Sequence, residues 1–205
     1  MRLVLLAGVL LTLAVPVARA LPTAAQIKTA FNAIDTSHNG AISEQEWTQA
    51  SFALFRAADK NNNNYIDADE LLGNAIAPDT FLRADTDHDN RLSAAEFVAL
   101  RRAIFEIADI DHDENLSFVE YELLIVMEQV GWTDRNQNGR IELSELRESL
   151  TKAFGELDVD HDGSLTSAEA AHMPAAEFAS FDRDHDGKLS LDEFVTGYRR
   201  ALLGE

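Results

Sequence analysis

The chain contains no cysteine, only three methionines and four prolines, and few basic residues relative to acidic ones. Without cysteine it forms no disulfide and carries no lipid anchor on an N-terminal cysteine. Its 17 lysine and arginine residues face 36 aspartates and glutamates, which gives a formal net charge of −19. Because so acidic a surface repels phosphates, we expect no nucleic-acid binding. Long apolar runs are also missing, apart from one near the N-terminus.

Residues 1–20 have the pattern of a signal peptide. A basic start at Arg2 precedes an apolar run over 3–15, and an Ala-x-Ala site ends at Ala20. The run is short for a membrane span. We therefore expect cleavage before Leu21, a mature chain that does not insert into a membrane, and a periplasmic or secreted location. Removal of two arginines and no acids would change the net charge from −19 to −21.

One twelve-residue pattern, Asp-x-[Asp/Asn/Ser]-x-[Asp/Asn]-x-x-[Ile/Leu]-x-x-x-Glu, occurs seven times after this segment. The copies begin 24 to 26 residues apart, a regularity that chance does not produce. They are numbered loops 1 to 7 and span 35–46, 59–70, 85–96, 109–120, 134–145, 158–169 and 182–193. Positions 1, 3, 5, 9 and 12 hold 24 of the 36 acidic residues. Most of the negative charge is therefore concentrated at potential metal-ligand positions.

The spacing of these oxygen-bearing side chains resembles that of EF-hand loops, and the resemblance covers residues 21–205. It implies an all-α fold, a tandem array of seven helix-loop-helix motifs with short two-stranded contacts between paired loops. It also implies up to seven bound Ca²⁺ ions, with Mg²⁺ or a lanthanide as alternatives. In such loops the ligands come from side chains at positions 1, 3 and 5, the backbone carbonyl at position 7, and a bidentate glutamate at position 12.

The resemblance assigns these ligand roles to five residues of each loop. Position 1 is Asp35, Asp59, Asp85, Asp109, Asp134, Asp158 and Asp182. Position 3 is Ser37, Asn61, Asp87, Asp111, Asn136, Asp160 and Asp184. Position 5 is Asn39, Asn63, Asp89, Asp113, Asn138, Asp162 and Asp186. Position 7 is Ala41, Tyr65, Arg91, Asn115, Arg140, Ser164 and Lys188. Position 12 is Glu46, Glu70, Glu96, Glu120, Glu145, Glu169 and Glu193.

The loops differ in charge and in the residue at their sharp turn. Loops 6 and 7 combine four carboxylates with glycine at position 6 (Gly163 and Gly187), where the backbone needs a positive φ. We expect them to be the strongest sites. Loop 4 places Glu114 at this turn, at a cost in backbone strain, and loop 1 offers only two carboxylates. Five loops carry histidine at position 4, which we interpret as repeat ancestry rather than metal ligation.

Position 8 is always isoleucine or leucine, the residue through which EF-hand loops pair. Segments 47–58, 97–108 and 146–157 contain no proline and are predicted to be single helices shared by neighbouring loops. The other three inter-loop segments contain glycine or proline and suit chain reversals. This alternation favours pairs 2/3, 4/5 and 6/7, with hand 1 unpaired and available to form a dimer.

No cysteine, Gly-x-Ser-x-Gly or His-Glu-x-x-His motif indicates catalysis, and we expect no enzyme. One hypothesis is an extracytoplasmic calcium buffer or calcium-stabilised binding module. Another is a calcium sensor or adaptor that opens a hydrophobic groove to a protein target. The export and close spacing of the hands also resemble lanmodulin-like proteins, which bind lanthanides. Their loops have proline at position 2, whereas no loop of this chain does.

Overall fold

The structure is a computed structural model and describes residues 21–67, 70, 81 and 84–204. The predicted signal peptide, 1–20, lies outside the described residues. The helices found in the described part are α1 (Ala24–Ile34), α2 (Glu44–Ala58), α3 (Ala94–Ala108), α4 (Phe118–Val130), α5 (Leu143–Leu157), α6 (Ala175–Phe181) and α7 (Leu191–Leu203). The strands are β1 (Ala41–Ser43), β2 (Tyr65–Ile66), β3 (Leu92–Ser93), β4 (Asn115–Ser117), β5 (Ser164–Thr166) and β6 (Lys188–Ser190). Among these helices, none is both long and apolar enough to cross a membrane.

Loops 1, 2, 4, 6 and 7 begin where one helix ends, and loops 1, 3, 4, 5 and 7 finish inside the first turn of the next helix. In loop 1, the backbone N–H of Asp35 closes the last turn of α1 by donating to Phe31. Ser43 and Glu46 form a capping box at the start of α2, in which each side chain accepts the backbone N–H of the other residue. The first and last ligand positions of the loop are therefore also the residues that end one helix and start the next.

The prediction of three continuous helices between loops is confirmed. Helices α2, α3 and α5 each run for 15 residues from one loop to the next. The predicted interruptions also appear, because α4 ends at Gly131 with φ of 84° and α6 begins after Pro174. The remaining predicted interruption, between loops 2 and 3, lies largely outside the described residues.

The loops pair through antiparallel strands in which position 8 faces position 8. Ile66 is opposite Leu92 and Leu165 is opposite Leu189, so the predicted pairs 2/3 and 6/7 are confirmed. The third pair joins Ile42 of loop 1 to the position 8 residue of loop 4. The predicted pair 4/5 and the unpaired hand 1 are therefore wrong. Within the described residues it is loop 5 that has no partner strand.

The physical reason for this pairing lies in the shared helices α2 and α3, which pack along each other. Helix α2 leads from loop 1 to loop 2, and α3 leads from loop 3 to loop 4. Once loops 2 and 3 pair at one end of the two helices, loops 1 and 4 meet at the other end. The pairing is nested rather than sequential.

Three buried apolar clusters correspond to these groupings. One lies under loops 1 and 4 and includes Phe31, Trp47 and Tyr121. A smaller one lies under loops 2 and 3, and the largest joins α4, α5, α6 and α7 beneath loops 5, 6 and 7. Because the helices that form these clusters begin and end at the loops, loop geometry and core packing depend on each other.

Candidate metal centres

All seven loops are closed by the same hydrogen bonds onto their first and last predicted ligands. In loop 1, Asp35 accepts the N–H of Asn39 at 3.1 Å and that of Gly40 at 3.0 Å. Glu46 accepts the N–H of Ser37 at 2.8 Å and that of Ser43 at 3.0 Å. The bonds from position 6 to position 1 and from position 9 to position 12 recur in every loop. Each loop therefore holds its first and last carboxylates on the same side of the turn.

Two residues in each loop, at positions 4 and 6, have a positive φ. The sequence analysis anticipated this only for position 6, where Glu114 has φ of 66° as the expected strained residue. The position 4 residues have φ between 56° and 59°: His38, Asn62, His88, His112, Gln137, His161 and His185. Histidine and asparagine are enriched in left-handed backbone. The five histidines are exposed and are explained by this backbone requirement.

In loops 3, 4, 6 and 7, carboxylate oxygens from positions 1, 3 and 12 lie within 4.8 Å of one another. Loops 1, 2 and 5 have serine or asparagine at position 3 and so bring together two acids and neutral oxygens. In loop 7, the Oδ1 atom of Asp182 is buried and has no hydrogen-bond partner in the described part. An all-oxygen set with a spare buried carboxylate oxygen suits a hard cation such as Ca²⁺, and the residues present fit that ion.

Loops 2 and 5 share an internal arrangement in which two asparagines donate to the acid at position 9. In loop 2, the Nδ2 atom of Asn63 lies 2.7 Å from Asp67. In loop 5, the Nδ2 atom of Asn138 lies 2.7 Å from Glu142. The position 9 carboxylate thus fixes the amides at positions 3 and 5, and leaves the amide oxygens of those residues as the predicted ligands.

The glutamates at position 12 do not share one electrostatic environment. Burial raises the pKa of Glu46, Glu96 and Glu193, but hydrogen bonds from loop N–H and hydroxyl groups outweigh it and lower the pKa to about 2. In loop 4, burial dominates and raises the pKa of Glu120 to about 7. Burial also raises the pKa of Asp109 in the same loop. Loop 4 therefore holds the most strongly desolvated carboxylates of these sites.

In loop 6, a lysine from loop 7 competes with a cation for one of the predicted ligands, and the sequence alone did not predict this contact. The Nζ atom of Lys188, at position 7 of loop 7, lies 2.6 Å from the Oδ2 atom of Asp162. This hydrogen bond lowers the pKa of Asp162, a predicted ligand of loop 6. A similar pair joins Arg91 of loop 3 to Asp67 of loop 2 at 3.5 Å. Position 7 of one loop thus reaches acids of its partner, a relation visible in the sequence only once the pairing is known.

A buried polar group beside α4 was also missed. Tyr198 donates its hydroxyl to Glu122 at 2.8 Å, and the Nε2 atom of His172 lies 3.4 Å from the same hydroxyl. Burial, reinforced by the neighbouring Glu177, raises the pKa of Glu122 to about 9, and burial lowers the pKa of His172 to about 4. At neutral pH this group therefore holds a protonated carboxyl and a neutral imidazole. The available signal was the single acid Glu122 directly before the apolar stretch 123–127.

The helix-loop-helix repeats, the paired position 8 residues and the converging carboxylates together define a calcium-binding protein. The family described as EF hand matches residues 27–51, 53–72, 77–100, 150–169 and 175–197, which is more than half of the chain. The chain belongs to the EF-hand family. Loops 4 and 5 fall outside the matched segments, yet the structure gives them the same hydrogen-bonded closure.

A curated relative is Calcium-dependent protein kinase 20 from Oryza sativa subsp. japonica, which is 33% identical over 146 residues. That alignment covers 60% of this chain and 24% of the kinase, so the chain spans about a quarter of the relative's length. Among solved structures, calcium-loaded apo-aequorin from Aequorea victoria is 21% identical. The alignment covers 84% of this chain and 86% of that protein, with a TM-score of 0.28.

Proposed function

We propose that the protein is exported and acts as an extracytoplasmic calcium buffer whose own fold is stabilised by the ions it binds. The observation that carries this proposal is the double role of the ligands. In loops 1, 4 and 7, position 1 directly follows one helix and position 12 lies in the first turn of the next, so an ion that joins them also fixes the angle between two helices. The buried clusters are built from those helices, and ion binding therefore contributes to folding.

The charge distribution supports a binding role rather than catalysis. With 24 of 36 acidic residues at loop positions 1, 3, 5, 9 and 12, the metal-free chain carries its repulsion inside the loops, and bound cations would relieve it. The converging carboxylates of the described residues belong to the loops, and Glu122, His172 and Tyr198 are at most 1% exposed to solvent. We propose no enzymatic activity.

The distribution of apolar side chains favours a buffer over a sensor. In the part of the chain that the structure describes, the exposed large apolar side chains are Phe52, Leu143, Val159 and Leu191. They come from four different elements or loops. A sensor that captures targets through a groove needs apolar surface that appears on calcium loading.

The experiment is a calorimetric titration of residues 21–205 with Ca²⁺, Mg²⁺ and La³⁺, with circular dichroism and a fluorescent apolar dye read in parallel. We expect three or more calcium sites at millimolar metal, a gain of helix, and a loss of dye binding. Fewer than three sites would overturn the buffer. A gain of dye binding on loading would replace it with the sensor. Folding by La³⁺ but not by millimolar Ca²⁺ would replace it with a lanthanide-binding protein.

A matched pair of variants tests whether the calcium binding measured by calorimetry comes from the loops. Glu193→Gln removes the position 12 ligand of loop 7, whereas Asp192→Asn removes a charge from the adjacent exposed residue. We expect one site fewer in the first variant and an unchanged number in the second. Export is tested separately by N-terminal sequencing of protein recovered from the periplasm or medium. A mature form starting at Leu21 supports it, and retention of the full chain in the cytoplasm contradicts it.

A further inference from the structure

We propose that loop 5 pairs with loop 5 of a second copy of this chain, so that two molecules form a dimer through a two-stranded antiparallel contact. The contact would use Arg140, Ile141 and Glu142, which are positions 7 to 9 of loop 5, the positions from which the strands of the paired loops are formed. The proposal concerns assembly and does not depend on what the protein does with calcium.

Loop 5 has the form of a paired loop but has no partner strand within the described residues. Its position 8 residue, Ile141, is 3% exposed, whereas the position 8 residues of the six paired loops are 0% exposed. No backbone hydrogen bond joins Ile141 to another described residue. Of the seven loops, only loop 5 exposes the residues at both position 7 and position 9. An exposed edge of this kind is a template for pairing with another strand.

The nested topology explains why the partner is missing within the described residues. In the first half of the molecule, the pair 2/3 is flanked by loops 1 and 4, which pair with each other. In the second half, the pair 6/7 is preceded by loop 5 through α5. Helix α7 leaves loop 7 as α3 leaves loop 3, but no loop follows α7 in the described residues. Within the described residues, loop 5 therefore occupies the place of loop 1, and no described loop takes the place of loop 4.

The register of the existing pairs makes loop 5 complementary to itself. In every pair position 8 faces position 8, so position 7 of one loop faces position 9 of the other. Two copies of loop 5 in this register would place Arg140 opposite Glu142 twice. Loop 5 is the one loop of the seven with a basic residue at position 7 and an acid at position 9. Opposite charges across a strand pair are favourable, and two-fold dimers need such self-complementary surfaces.

One of the two ion pairs proposed for this contact has a counterpart in the pair 2/3, where a basic residue at position 7 contacts an acid at position 9. Loop 2 resembles loop 5, because both have asparagines at positions 3 and 5 that donate to an acid at position 9. In the pair 2/3, that acid, Asp67, also receives Arg91 from position 7 of loop 3. The third basic residue at position 7, Lys188, also forms an ion pair with its partner loop. Arg140 forms no ion pair within the described residues.

The charge of loop 5 also permits self-association. Its twelve residues have a formal charge of −1, whereas the other loops have −3 to −5. Two copies of the more acidic loops would repel each other strongly, and two copies of loop 5 would repel each other far less. An exposed apolar side chain, Leu143 at 51%, follows the segment directly and adds apolar area beside the strand edge.

The test is sedimentation equilibrium of residues 21–205 in saturating Ca²⁺ over a range of protein concentrations. We expect a monomer–dimer equilibrium. Arg140→Glu and Glu142→Arg each put like charges at both cross-strand positions, and each should weaken the dimer by about tenfold or more. The double variant Arg140→Glu/Glu142→Arg restores opposite charges and should recover dimerisation. Arg147→Glu, the same charge change on an exposed face of α5, should leave the equilibrium unchanged.

A second measurement uses the absence of native cysteine. Arg140→Cys and Glu142→Cys proteins, mixed and oxidised, should cross-link to each other more efficiently than either protein alone, because position 7 faces position 9. A chain that remains monomeric at all concentrations would overturn the proposal. A dimer unaffected by Arg140→Glu, or a double variant no better than the single ones, would overturn it too. Circular dichroism verifies that each variant is folded, and the calcium-dependent shift of the Gly139 amide verifies that its loop 5 still closes.

Discussion

Substitution of one ligand in loop 4 distinguishes the nested pairing from the sequential pairing that the sequence suggested. Glu120→Gln keeps the size of the side chain but removes the charge of the position 12 ligand. Because loop 4 pairs with loop 1, we expect calcium to bind loop 1 more weakly in this variant. Loop 5 should keep its affinity, since no strand pair joins it to loop 4.

The size of the effect follows from the contact between the two loops. Strands β1 and β4 are joined by three cross-strand residue pairs, with Ile42 against Leu116 at the centre and both side chains fully buried. Each such pair contributes about 0.2–1 kcal/mol. At the middle of that range, about 0.6 kcal/mol per pair, the three pairs contribute about 2 kcal/mol, and the loss of half to all of this contact when loop 4 no longer closes around an ion gives a coupling of about 1–2 kcal/mol. Loop 1 should then need roughly fivefold to thirtyfold more calcium.

The assay reads individual loops through their position 6 glycine amides. Gly40 reports loop 1, Gly139 reports loop 5, and both donate their N–H to the position 1 aspartate, at 3.0 and 2.9 Å. Calcium titrations of ¹H–¹⁵N spectra give the midpoint for each amide. Gly163 and Gly187, in loops 6 and 7, serve as internal controls. A shifted midpoint at Gly139 with none at Gly40 would refute the nested pairing.

Three further experiments test particular features of the structure. Lys188→Gln frees Asp162 from its ion pair and should raise the calcium affinity of loop 6 by about twofold to fivefold, read from that loop's glycine amide; an unchanged midpoint contradicts the proposed competition. In EDTA, the thermal midpoint measured by circular dichroism should fall as the pH rises from about 5 to 9, because folding raises the pKa of Glu122 and the folded chain holds a proton that the unfolded chain releases. Glu122→Gln should flatten that fall, and an equally steep fall in the variant would assign it to other groups. Gly155→Ala should stabilise α5 by about 0.5–1 kcal/mol in urea unfolding, since nothing lies within 4 Å of the added methyl group. Gly197→Ala should cost about 1–3 kcal/mol, since its methyl carbon would lie 2.3 Å from an aromatic ring of α6; equal effects of the two alanines would contradict this packing.

The local features of the fold were predictable because short-range chemistry determines them. The spacing from Asp35 to Glu46 and its six repeats places helix ends, loop turns and ligands without any long-range information. Glycine and proline at Gly131 and Pro174 correctly predicted where helices are interrupted. The need for a left-handed residue at position 4 was the local feature that was missed, although histidine and asparagine at that position were a usable signal.

Contacts between loops were less predictable, because they depend on which elements meet. Neither the ion pair between Lys188 and Asp162 nor the hydrogen bond between Tyr198 and Glu122 has a sequence signal of its own. The residues of these pairs are 26 and 76 positions apart. The ion pair becomes identifiable once loops 6 and 7 are known to pair, and the hydrogen bond only when α4 is known to pack against α7. We ranked loop 6 among the strongest sites from its number of carboxylates. That number does not include the effect of Lys188, which pairs with Asp162 and should lower the calcium affinity of loop 6.

The nested pairing, by contrast, follows from two predictions that the sequence already supported. Helices over 47–58 and 97–108 were expected to be continuous, and loops 2 and 3 were expected to pair. Two rigid helices joined at one end by a strand pair, and packed along their length, bring their other ends together. Loops 1 and 4 therefore had to meet, and pairing loop 4 with loop 5 was incompatible with the continuous helices. The same reasoning applied to α5 and the pair 6/7 leaves loop 5 as the hand without a partner in the described chain. Composition alone does not explain why loop 5 has both Arg140 and Glu142. A contact between two copies of loop 5 does, because each residue would lie opposite the other across the strand pair.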